Sequence, residues 1–263
     1  MALNRDSFED LAVRVATGAA IAGVGLVAIW IGGWSFTALV VLIVAVLIWE
    51  LVRMLGGGPR RSMMLGGLAG AALVAAKLLP AGLGLPLLLL VAIAGIGLLE
   101  RNRVLYITMT TFIMLAAFGL MYQRDEFGVT WMLWLILVVA ATDIFGYFAG
   151  RIFGGPKFWP RVSPKKTWSG TGAGWVAAGL VGWAFMASTG SGIELIGISV
   201  ALSMASQMGD IAESAVKRRM GVKDSSSLLP GHGGLWDRFD GVLGAALVLL
   251  IVESVTAFPP PPL

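Results

Sequence analysis

Nine stretches of close to twenty residues, dominated by Leu, Val, Ala, Ile and Gly, divide this chain: 11–32, 34–52, 63–79, 81–99, 104–122, 128–149, 170–188, 192–209 and 241–258. A helix needs about 20 mainly apolar residues to cross bilayer hydrocarbon, and an α-helix satisfies its own backbone there. The pattern predicts an all-α, polytopic membrane protein with about nine transmembrane helices. Composition agrees, with 57% hydrophobic and 13% charged residues, where soluble domains carry about a quarter charged. The 36 glycines suit helices that approach one another closely. The third and fourth runs are parted only by Pro80, so a re-entrant pair is the alternative there. The first run is too long for a signal-peptide core and no clear small-residue cleavage pattern follows it, so it is expected to be a retained span. Cysteine is absent, which excludes disulfides and thiolate metal sites.

Charge placement supplies an orientation. With nine spans, the N-terminus and the loops after the second, fourth, sixth and eighth runs share one side. Every Lys and Arg lies there except Lys77 and Arg124. The positive-inside rule makes that side cytoplasmic, hence N-in, C-out, in a multi-pass protein of the cell (inner) membrane. Residues 1–122 hold about five N-terminal helices, and 123–263 hold the region with two long inner loops, 150–169 and 210–240. Two spans separate these loops, so they are able to meet, and chemistry is expected on this face. No transporter-type internal repeat is evident, and the one low-complexity tract is the proline run 259–262. The ten tryptophans read as interface belts and packing rather than a platform for nucleic acid.

Residues 214–240, SAVKRRMGVKDSSSLLPGHGGLWDRFD, concentrate charge in a chain that has little. If the segment from Asp210 is helical, then Asp210, Glu213 or Ser214, and Lys217 share a face. Asp237 and Asp240 share another at the start of the last run, and Asp143 sits near the inner end of the sixth. Carboxylates converging at a membrane boundary suit a hard divalent cation such as Mg²⁺, which takes oxygen ligands. Two plainer readings stand beside this: Asp237 and Asp240 favouring a helix N-terminus electrostatically, and Asp143 as a buried structural residue. Residues 163–168 place Lys165 and Lys166 in a short rigid turn, with Thr167 capping the next helix, an arrangement that attracts phosphate. Lys217, Arg218, Lys223 and Arg238 extend a polyanion cradle. Arg53, Arg60, Arg61, Arg101 and Arg103 read as anchors to anionic headgroups. Pro230-Gly231-His232-Gly233-Gly234 is a turn able to bring backbone amides to a ligand, with His232, the only histidine, either structural or functional. Glu50 is expected to pair with Arg53. Glu253 lies toward the outer half, away from this face.

The polar pattern resembles the signature of the phosphatidate cytidylyltransferases, the CDP-diacylglycerol synthases. Ser214, Lys217, Arg218, Lys223, Asp224, Pro230, His232, Gly233, Gly234, Asp237, Arg238 and Asp240 stand in its register. The stretch from Val162 and Ser163 to Trp168 is similar to the family's second basic loop. Asp143, Tyr147, Gly150 and Arg151 are similar to its sixth-span motif. Ile144-Phe145-Gly146-Tyr147 departs from the usual small or hydroxyl residue followed by Gly-Ala-Tyr, and Ser169 replaces an acidic or amide residue. The N-terminal five runs match in hydropathy alone.

The resemblance implies transfer of CMP from CTP to phosphatidate at the bilayer, with release of pyrophosphate. It implies Asp143, Asp210, Asp237 and Asp240 as ligands of Mg²⁺ and of a second cation if one is used. It implies Lys165, Lys166, Lys217, Arg218, Lys223 and Arg238 as phosphate contacts. Ser163, Thr167, Ser214, His232, Gly233 and Gly234 complete the expected site, and Asp224 either binds metal or orients Lys223. A homodimer is the expected assembly from the family alone. Three other readings remain open at this level: a CTP-dependent lipid or polyprenol kinase releasing CDP, a phosphate or ion transporter, and a catalytically inactive lipid-binding homologue. Polar groups gathered at one face, not at the bilayer midplane, count against transport.

Overall fold

A computed structural model describes the backbone of residues 5–229, 231, 233–256 and 258, and side chains from residue 15 onward save those of 81 and 82. Eight helices occupy most of the described residues: α1 (Arg5–Ile31), α2 (Gly33–Met54), α3 (Pro59–Leu78), α4 (Ala81–Leu98), α5 (Arg103–Ile152), α6 (Trp168–Thr189), α7 (Glu194–Arg219) and α8 (Trp236–Val255). The protein is helical, as its apolar runs predict. Each run lies largely on a helix, and the fifth and sixth share α5. That 50-residue helix is interrupted at Gly128, whose φ of 82° is open to glycine at little cost. Among the described residues, α2, α3, α5 and α7 are long and apolar enough to cross a membrane, while α1 and α4 contribute shorter apolar stretches, Val15–Ile31 and Leu83–Leu98.

The chain forms two compact units. One comprises Met1–Thr110 with Met220–Arg238, the other Thr111–Arg219 with Phe239–Leu263. In the first, α2 packs on α3 and α3 on α4. The buried stripe of α2, Val40, Val44, Leu47, Ile48 and Leu51, recurs at the three- and four-residue spacing of one helix face. Tyr106 is fully buried and donates to the carbonyl of Val91 at 2.8 Å. Lys77, one of the two cations predicted off the inner face, lies 5.5 Å from the centre of the Trp34 ring.

In the second unit α6 packs on α7, and Trp134 donates to Ser199 at 2.9 Å within the apolar interior. Two expectations need correction here. Lys165 and Lys166 lie not in a turn but on a strand, β2 (Ser163–Thr167), paired antiparallel with β1 (Lys157–Trp159). The pairing gives loop backbone the partners that a free turn lacks. Helix α7 runs to Arg219, ten residues beyond the apolar run, so the second long loop begins at residue 220 and ends at 235. The extension is held by i,i+4 partners: Ser214 to Asp210 and Lys217 to Glu213.

Candidate functional site

Helices α7 and α8 meet where Gly209 faces the first turns of α8. A Cβ at Gly209 would lie 2.3 Å from the carbonyl oxygen of Asp240, so a larger residue would push the helices apart. This approach gathers three carboxylates. One oxygen from each of Asp210, Glu213 and Asp240 lies within 4.8 Å of the others. Asp210 and Asp240 are half-buried and Glu213 is buried.

Two lysines answer this charge. The ammonium of Lys166 stands 2.6 Å from Asp210 Oδ2 and donates to the Gln207 carbonyl at 3.3 Å. Lys217 lies 2.5 Å from Glu213 Oε2, and both side chains are almost wholly removed from solvent. Ser214 donates to Asp210 Oδ1 at 3.2 Å. The i,i+4 geometry expected from Asp210 onward is therefore present. A cavity of about 520 Å³ opens beside the cluster, lined by Asp143, Tyr147, Arg151, Lys165, Lys166 and Asp210 among others. Arg151 donates to the Tyr147 hydroxyl at 2.8 Å, and Lys165 and Arg218 are exposed. Ser163 is half-buried at the start of β2.

Thr167 caps α6 as its position predicts, accepting from Gly170 N at 3.2 Å. Ser169, a departure from the family pattern, has its hydroxyl 3.0 Å from that of Thr167 and donates to the Gly154 carbonyl. It ties the two ends of the hairpin loop together.

The other unit carries the remaining motif residues. Lys223, Asp224 and Arg238 are exposed on or beside the 220–235 loop. Asp237 Oδ2 accepts from Ser225 N at 3.0 Å, Ser225 Oγ at 2.9 Å and Gly234 N at 2.7 Å. Gly233 forms a backbone bridge with Leu229. Pro230 and His232 lie outside the described residues. Glu50 does not take up the expected partnership with Arg53. It accepts from Ser225, Ser226, Leu235 and Trp236.

Three contributors escaped the sequence reading. Glu213 shared a face with Asp210 by spacing, yet was not selected as a ligand. Gln207, one turn before Asp210, accepts from Trp175 Nε1 at 3.0 Å and donates to the Thr171 carbonyl at 3.3 Å. Its amide in the most polar apolar run was the available signal. Glu50 gave none beyond being a carboxylate on an apolar helix.

The donor set fits a hard cation: three carboxylates from two helices, with oxygen atoms close enough to share one ion. Fold and site together define a helical protein of membrane character in which acids and lysines converge at the ends of apolar helices. The chain belongs to the cytidylyltransferase family, whose model matches residues 12–256. Relatives include the phosphatidate cytidylyltransferase of Bacillus subtilis (strain 168), 34% identical over 256 residues covering 89% of this chain and 94% of the relative. That of Brucella suis biovar 1 (strain 1330) is 46% identical over 148 residues, 55% of this chain and 54% of the relative. That of Mycobacterium tuberculosis (strain ATCC 25618 / H37Rv) is 39% identical over 144 residues, 53% of this chain and 43% of the relative. The match spans about half the length of the Brucella proteins.

Proposed function

We propose that this protein is an enzyme that moves CMP from CTP to phosphatidate, giving CDP-diacylglycerol and pyrophosphate for phospholipid biosynthesis. The observation that carries this reading is the 34% identity to a phosphatidate cytidylyltransferase across nearly the whole of both chains. The reading includes nine spans in an inner membrane, N-in and C-out, with the site at the cytoplasmic face. Residues 123–263 are its catalytic region, 1–122 its N-terminal helices, and a homodimer its assembly.

The lipid phosphate is already an anion, so the reaction's difficulty is bringing two polyanions together. A phosphatidate phosphate oxygen forms the new bond to the α-phosphorus of CTP. The bond from that phosphorus to the bridging oxygen breaks, and its electron pair leaves with pyrophosphate. Lys165, Lys166, Lys217, Arg218, Lys223 and Arg238 grip phosphate oxygens and offset the charge that builds as the two substrates approach. Asp210, Glu213 and Asp240 would hold Mg²⁺, with Asp143 available to a second cation; Glu213 takes the part expected of Asp237, whose Oδ2 accepts three hydrogen bonds from Ser225 and Gly234. A bound divalent ion there supplies charge neutralisation for the triphosphate and the departing pyrophosphate. Asp237, whose Oδ2 is committed to the loop, holds Ser225 and Gly234 in place.

Purified protein incubated with CTP, Mg²⁺ and phosphatidate in micelles is expected to yield CDP-diacylglycerol and pyrophosphate in equal amounts. Release of CDP with a phosphorylated lipid would replace this reading with a kinase.

A further inference from the structure

Glu50 is the one acidic residue of α2, and it has no exposed surface. Removing such a group from water is costly unless hydrogen bonds replace the water. Here four donors do so, and all come from residues at least 175 positions away in sequence. Oε1 accepts from Ser226 Oγ at 2.6 Å and Leu235 N at 2.8 Å. Oε2 accepts from Trp236 N at 2.8 Å and Ser225 Oγ at 3.2 Å. Two donors sit early in the 220–235 loop, and two sit at its junction with α8. One carboxylate thus pins both ends of the segment between them.

The backbone is shaped around this contact. A Cβ at Gly234 would lie 1.9 Å from Ser225 Oγ and 2.5 Å from Glu50 Oε1, so the loop closes over the carboxylate only with glycine there. Trp236, two residues after, is fully buried. The two amides belong to the N-terminal end of α8, where a negative charge also meets the positive end of the helix dipole. Lys223 and Asp224 precede Ser225 immediately, and Arg238 follows Trp236 by two residues, so what Glu50 holds is the segment that presents them.

We propose that Glu50 is a positioning residue that sets the 220–235 loop, and through it Lys223 and Arg238, for binding a phosphate-bearing substrate. The kinetic part of this inference rests on the cytidylyltransferase reading; the loop part does not. Glu50→Gln keeps the shape but replaces one acceptor oxygen with a donor group facing Ser225 Oγ and Trp236 N.

The test uses the full chain in detergent micelles and has two arms. In the first, limited trypsin digestion without substrate is expected to cut at Lys223 at least about tenfold faster in Glu50→Gln than in the parent, the scale of losing one charge-assisted hydrogen bond. In the second, the KM for CTP or phosphatidate is expected to rise about tenfold with a smaller change in kcat, while Tm stays near the parent value. Ser226→Ala is expected to reproduce a weaker form of both effects and Ser226→Thr, which keeps the hydroxyl, to reverse them. This pair also decides the matter if Glu50→Gln does not fold. Unchanged cleavage at Lys223 in Glu50→Gln and Ser226→Ala overturns the proposal. Faster cleavage with unchanged KM also overturns it, by removing the link to substrate. If the parent itself transfers no CMP, the functional reading falls, and the trypsin arm alone judges whether Glu50 holds the loop.

Discussion

Lys166 and Asp210 meet at 2.6 Å, linking strand β2 to helix α7 across 44 residues of sequence. The contact places a cation from the hairpin against one of three clustered carboxylates, with the cavity beside both. In that position the lysine is able to exchange a carboxylate for a substrate phosphate without moving far. Lys166→Ala is therefore expected to raise the KM for CTP or phosphatidate about tenfold, as loss of a charge-assisted hydrogen bond does. Steady-state kinetics against each substrate checks this, and an unaltered profile would reduce Lys166 to a topology charge.

Asp240 offers its carboxylate to the same cluster from α8. Asp240→Asn keeps the side chain's size while removing its charge. Cytidylyl transfer is expected to fall about 100-fold or more, while the protein still inserts and purifies in normal yield. Turnover near that of the parent would reject Asp240 as a metal ligand.

The Glu213–Lys217 pair is expected to behave differently, because both members are buried. Breaking such a pair strands a charge and costs about 3–5 kcal/mol, whereas replacing both members with apolar residues is often neutral. Lys217→Met and Glu213→Leu should each lower the Tm in detergent, and the double variant should recover most of it. Activity should stay lost in all three. Recovery of both together would make the pair purely structural.

Gly209→Ala places a methyl group against the Asp240 carbonyl. The overpacking is expected to cost about 1–3 kcal/mol and to weaken Mg²⁺ binding by separating Asp210 from Asp240. Thermal unfolding with and without Mg²⁺ measures both effects. A parent-like shift of Tm on adding Mg²⁺ would detach the helix contact from the metal.

The absence of native cysteine makes orientation directly testable. In sealed cells, an impermeant thiol reagent is expected to label Ser191→Cys and not Ser227→Cys, which should react only after permeabilisation. The reverse pattern would invert the N-in, C-out topology.

Hydropathy made the helices legible because an apolar run of about twenty residues has few other stable fates in a bilayer. It did not reveal where α7 stops, since the last turns of that helix are polar and are held by Ser214–Asp210 and Lys217–Glu213 contacts. The hairpin was missed for a related reason. A proline beside two lysines reads as a turn, and the strand at residues 163–167 exists because residues 157–159 pair with it.

The site divides in the same way. Spacing along one chain segment was enough to put Asp210, Glu213 or Ser214, and Lys217 on one face and to pair Asp237 with Asp240, because residues a helical turn apart share a face wherever the helix goes. That Lys166 belongs to Asp210, that Asp237 staples Ser225 and Gly234, and that Glu50 serves a loop some 180 residues away were settled by the folded chain alone. A buried charge takes whichever donors packing brings to it, and those donors can come from any point in the sequence.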